Sequence, residues 1–67
     1  MKIKELREAA GLSGADVARA LGVDSAAVAR WENGKALPRA AKLPVLADLF
    51  GCTIDALFGR EPPRAAS

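Results

Sequence analysis

Between Ser13 and Arg39 the chain carries hydrogen-bond donors that read as one surface: the hydroxyls of Ser13 and Ser25, the guanidinium groups of Arg30 and Arg39, the Asn33 amide and the Lys35 ammonium, with small Ala26 among them. Asp16, Asp24 and Glu32 are the acidic residues nearby. Donors in this excess suit a partner rich in anionic and neutral acceptors, and a guanidinium fork matches acceptors that come in pairs. Covalent chemistry has little to work with. There is no histidine and no tyrosine, no nucleophile has a base nearby in sequence, and the carboxylates are spread as helix-surface charges and caps. With Cys52 the single cysteine, neither an internal disulfide nor a Cys/His metal cluster can form. The expectation is therefore a binding protein with no catalytic residue, cofactor, metal or small-molecule ligand. A net charge of +2 and a pI near 9.1 tolerate a polyanionic partner without demanding one.

Those donors need helices to hold them, and the apolar pattern supplies five segments. The first, about Lys2 to Ala10, places Ile3, Leu6 and Ala10 at helical spacing and ends at Gly11. The second opens on Ser13 as N-cap and runs Gly14 to Leu21, stopping at Gly22; the third takes Asp24 as N-cap, covers Ser25 to Glu32 and closes on Asn33-Gly34. Counting from Gly14, apolar residues fall at the fourth, eighth, tenth, fifteenth and eighteenth places (Val17, Leu21, Val23, Val28, Trp31), with small Ala18 at the fifth and Gly22 at the ninth. That is the spacing of a helix-turn-helix unit, which presents its second helix to the major groove of DNA. Ala18 must be small because the next helix crosses over it, and Gly22 can take the positive φ of the turn.

After a connector containing Pro38, a fourth segment runs from around Ala40 to Phe50. Pro44 predicts an irregular first turn or a start as late as Leu43. Thr53 caps a short fifth segment, Ile54 to Phe58, ending at Gly59. The expected core is Ile3, Leu6, Leu12, Val17, Ala18, Leu21, Val23, Val28, Trp31, Leu43, Leu46, Phe50, Ile54 and Leu57. Residues 1–59 are expected to form one domain and 60–67, with two prolines, a flexible tail. A domain this small buries only about 60% of the surface its unfolded chain exposes, so its stability is modest. The apolar runs are too short to span a bilayer and the chain begins with a charged amphipathic segment, which predicts a cytoplasmic protein without membrane contact.

The stretch LREAAGLSGADVARALGVDSAAVARWENGK, followed by a proline, LPVLADLFG and IDALFG, resembles the phage-repressor and Cro-like, or XRE-type, helix-turn-helix family over about residues 2 to 59. Its most specific elements are the Leu-Ser pair before the second segment, the A-x-x-L-G-V turn and the W-E-N-G-K ending. The resemblance implies an all-α, compact five-helix lambda-repressor-like DNA-binding domain with the helix-turn-helix at helices 2 and 3. It implies base contacts by Ser25, Ala26 and Arg30, of which Arg30 alone matches guanine O6 and N7 and Ala26 suits a thymine methyl. It implies phosphate contacts by Ser13, the amides of Gly14 and Ala15, Asn33, Lys35 and Arg39. Gly14 stands where the family usually has glutamine, which leaves anchoring there to the main chain. Arg7 and Glu32 match a pair that often links the first helix to the third.

The function so implied is sequence-specific binding of double-stranded DNA by a transcriptional repressor or regulator of phage or plasmid type, as a homodimer at least on DNA, at a palindromic operator. Val45, Leu57 and Phe58 are the expected dimer contacts. The competing reading is a helical protein-interaction or antitoxin-like module on the same fold, supported by the mild charge and by Ala26, Ala27 and Ala29; salt-independent binding to DNA or heparin would favour it.

Overall fold

The computed structural model describes residues 1–60, which contain α-helices, one 3-10 turn and no strand. In chain order these are α1 (Ile3–Ala9), α2 (Gly14–Leu21), α3 (Ser25–Glu32), a 3-10 turn (Ala40–Lys42), α4 (Leu43–Phe50) and α5 (Ile54–Leu57). The expected tail at 60–67 lies outside the described residues except for Arg60, whose amide donates to the Asp55 carbonyl at 2.9 Å. Among the described residues no helix is long and apolar enough to cross a membrane.

Helix starts carry a side-chain cap at α2 and α5, and the cap expected at α3 is absent. At α2 the Ser13 hydroxyl accepts from the Asp16 amide at 3.0 Å, and the Asp16 carboxylate accepts from the Ser13 amide at 2.9 Å. This reciprocal box satisfies two amides that a helix start otherwise leaves unpaired. Its bond to the Ser13 amide is the main reason the Asp16 carboxyl sits below its usual range, so the carboxylate half of the box is intact at neutral pH and is lost only in acid, as pH falls through that lowered range. At α5 the Thr53 hydroxyl accepts from the Ala56 amide at 3.1 Å. Asp24 has the extended backbone of an N-cap, yet its carboxylate makes no cap bond. The expectation of a side-chain cap there is corrected: α3 begins on the Asp24 carbonyl, which accepts from Ala27 and Val28.

Helix ends use the left-handed glycine cap. Gly22 has φ +70°, with the Val23 amide bonded to the Ala18 carbonyl at 3.0 Å, and Gly34 has φ +74°, with the Lys35 amide bonded to the Arg30 carbonyl at 2.9 Å. The first sets the α2–α3 turn; the second aims the connector that follows. Pro44 is accommodated as expected, in the first turn of α4 behind the 3-10 turn.

The core is Ile3, Val17, Ala18, Leu21, Val28, Trp31, Leu46, Ala47 and Leu57, with Leu6, Leu12, Val23, Leu43 and Phe50 partly buried against it. Two expectations change. Ile54 is 39% exposed rather than core, at the opening of a helix only one turn long. Leu57 is fully buried and so cannot be a dimer contact, whereas Val45 and Phe58 are exposed. Pro38, in the connector, is buried as well. α2 packs on α3 and α4, α1 spans α3 and α4, and the Lys2 amide donates to the Leu57 carbonyl at 2.7 Å, closing the ends of the fold together.

Candidate nucleic-acid interface

α3 is divided by its own geometry. At about 100° per residue, Val28 and Trp31 point inward and are buried, Ala27 and Glu32 lie on the margins, and Ser25, Ala26, Ala29, Arg30 and Asn33 fall on the exposed side. Ala26, Ala29 and Asn33 occupy the middle of that side, Arg30 one flank and Ser25 the other. The outward face thus carries methyl groups along its first turns, an amide at its C-terminal end and a cation at one edge. Ala29 was not among the expected contacts, although its place three residues after Ala26 puts it on the same strip.

The Arg30 guanidinium has no hydrogen-bond or ion-pair partner among the described residues, and the side chain is exposed. Asn33, Lys35 and Arg39 are exposed too. Ser13 is exposed at the start of α2; its hydroxyl accepts the Asp16 amide, which leaves the O–H proton to donate. The Gly14 and Ala15 amides belong to the first turn and have no acceptor within the helix. The nine expected residues therefore lie at the α2 start, on the outer side of α3 and along the connector.

The nearby acids are handled differently from one another. Glu32 is withdrawn: it accepts from Arg7 Nε at 2.7 Å and Nη2 at 3.4 Å, while Arg7 Nη1 donates to the Leu12 carbonyl at 2.9 Å. The expected pair between the first and third helices is present, and Glu32 holds the Arg7 guanidinium above its ordinary range. Asp16 is held by Ser13 and, at 3.5 Å, by Arg19. Asp24 alone of the three is exposed with no side-chain bond among the described residues.

Two features had no sequence signal. Lys42 in the 3-10 turn donates its ammonium to the Leu21 carbonyl at 2.9 Å, across 21 positions of chain. A cation on the last carbonyls of α2 suits the helix dipole and ties the connector's far end to the helix-turn-helix. Beside it an open groove of about 460 Å³ runs between α3 and the connector, lined by Val23, Ala27, Arg30, Trp31, Leu37, Arg39 and Lys42 among others. Cys52 lies apart from this surface, half-buried, and burial pushes its thiol up.

The sequence model of a helix-turn-helix family matches residues 3–57. The chain is 33% identical over 60 residues to the HTH-type transcriptional activator BcrR of Enterococcus faecalis, an alignment covering 90% of this chain and 29% of that protein. It thus spans under a third of the relative it matches. No solved structure matches.

Proposed function

The chain belongs to the helix-turn-helix family, and we propose that it regulates transcription by binding a specific double-stranded DNA site through α3. The observation that carries this is the outward side of α3, where an unpaired guanidinium flanks a strip of methyl groups and the neighbouring Glu32 is tied to Arg7. In this reading α3 enters the major groove. Arg30 reads a guanine, and Ser25 and Ala26 meet adjacent base edges. Ser13, the Gly14 and Ala15 amides, Asn33, Lys35 and Arg39 hold phosphates on either side and set the register.

One small domain with a single forked base reader falls short of the roughly 10⁻⁸ M or better typical of specific sites. We therefore infer that two copies act together on a palindromic operator with half-sites about one helical turn apart, and that an operator overlapping a promoter is repressed by occlusion. The relative shares the regulator class and is named an activator; most of its length lies beyond the match. Selection of bound sites from random duplexes tests the reading directly. A recovered palindrome supports it, and recovery of no preferred sequence rejects it.

Two substitutions check the electrostatics. Lys35→Ala is expected to weaken binding to every duplex alike and to flatten the log–log salt slope by about one unit, as removal of one phosphate contact does; a titration at several salt concentrations measures both. Asp24→Asn is expected to tighten binding several-fold while leaving the melting temperature nearly unchanged, because its carboxylate faces solvent at the start of α3 and caps nothing. A clear loss of thermal stability in Asp24→Ala, which unlike Asn has no cap acceptor, would return Asp24 to a capping role.

A further inference from the structure

Leu37 is 72% exposed, far more than the other exposed large apolar side chains, Val45 at 43%, Ile54 at 39% and Phe58 at 48%. A lone surface leucine is ordinary; the setting of this one is not. The next residue, Pro38, is buried and pins the connector to the core, so Leu37 is held outward on anchored backbone. Leu37 lines the same groove as Arg30 and Arg39. Neither guanidinium has an ion-pair partner among the described residues. An isolated apolar group framed by cations is too small for a stable protein interface, which needs several hundred Å² on each partner. It does match a base edge, where a methyl group sits between phosphates.

We propose that Leu37 is a specificity-determining residue that packs on the 5-methyl group of a pyrimidine next to the guanine read by Arg30. This rests on the DNA-binding reading and extends it to the substrate. The 5-methyl group of thymine projects into the major groove beside the acceptor pair of a neighbouring guanine. Sharing one groove, the Arg30 stem and Leu37 enclose that methyl from two sides. The half-site then contains a thymine–guanine neighbour pair. Because the contact is with the methyl group alone, 5-methylcytosine satisfies it as thymine does, and unmethylated cytosine does not.

The test uses the full chain and a duplex recovered by the selection above, with binding measured by fluorescence anisotropy. Each thymine is replaced in turn by uracil, which pairs identically but lacks the methyl. At one thymine beside a guanine the unaltered protein is expected to lose about four-fold in affinity, the worth of one buried methyl group. At that position a 5-methylcytosine pair is expected to bind about four-fold better than a cytosine pair by the same reasoning. Leu37→Ala, which removes an exposed side chain and so leaves folding intact, is expected to bind more weakly and to lose both discriminations. Indifference of the unaltered protein to every uracil overturns the proposal while leaving site-specific binding standing. So does a Leu37→Ala protein that keeps the methyl preference, or that binds the selected site as tightly as its parent. Failure of the selection to yield any site removes the DNA-binding reading and this proposal with it.

Discussion

Arg30→Ala is expected to cost about 1 to 3 kcal/mol on the preferred site and to abolish the preference at one base pair while sparing the others. The cost follows from what the side chain has to lose. It is exposed on α3 with no internal partner among the described residues, so its removal leaves no protein group unsatisfied and the fold intact. The loss therefore appears in the complex and not in the melting temperature. A guanidinium presents two parallel N–H donors to guanine O6 and N7, whereas an ammonium is a point charge. Arg30→Lys is accordingly expected to keep most of the salt dependence and still lose the base preference. Affinities on a panel of duplexes, each changed at one base pair, separate the outcomes. Equal weakening across the whole panel would make Arg30 another phosphate contact and leave α3 without a forked base reader.

The parts legible in the sequence are those fixed by local chemistry or by an unbroken apolar period. Gly22 between two eight-residue helices, the Gly34 ending of α3 and the late start of α4 at Leu43, with Pro44 in its first turn, all follow from backbone preferences that neighbours cannot override. The split of α3 into buried Val28 and Trp31 against an exposed opposite side follows from the helical repeat. Reading failed where side-chain rotamers or distant chain decide. Asp24 is a preferred N-cap type in the right place, yet whether its carboxylate turns back to an amide depends on its torsions. Ile54 opens α5, whose single turn is too short for periodicity to tell its inner side. The Lys42 bond to Leu21 and the outward Leu37 depend on how the connector folds back past the buried Pro38, which no local pattern predicts. The Arg7–Glu32 pair, 25 positions apart, came from family resemblance; no local pattern announces it.

That pair gives the largest expected effect on stability. Arg7→Met keeps an apolar stem but removes three donors at once, two to Glu32 and one to the Leu12 carbonyl. The side chains are only 15% and 13% exposed, so the carboxylate left behind cannot fully recover its hydration. A hydrogen bond to a charged group is worth about 1.5 to 3 kcal/mol, and a partly buried charge stripped of its partner adds a penalty, so a loss of about 2 to 3 kcal/mol is expected. In a domain of this size each kcal/mol lowers the melting temperature by roughly 4 to 8 °C. Thermal unfolding followed by circular dichroism measures it. Glu32→Gln, which keeps an acceptor for the guanidinium, is expected to lose less. The two variants also carry a functional signature, because Arg7 fixes the C-terminal turn of α3 against α1 and Leu12, just ahead of the α2 start. Binding measured well below the melting temperature is expected to fall for Arg7→Met on all sequences together, through loosened docking of α3, with the base preference retained. A melting temperature unchanged within about 2 °C, equivalent to under about 0.5 kcal/mol at this size, would show that the bridge is a solvent-screened surface pair and that α3 is held by Val28 and Trp31 alone.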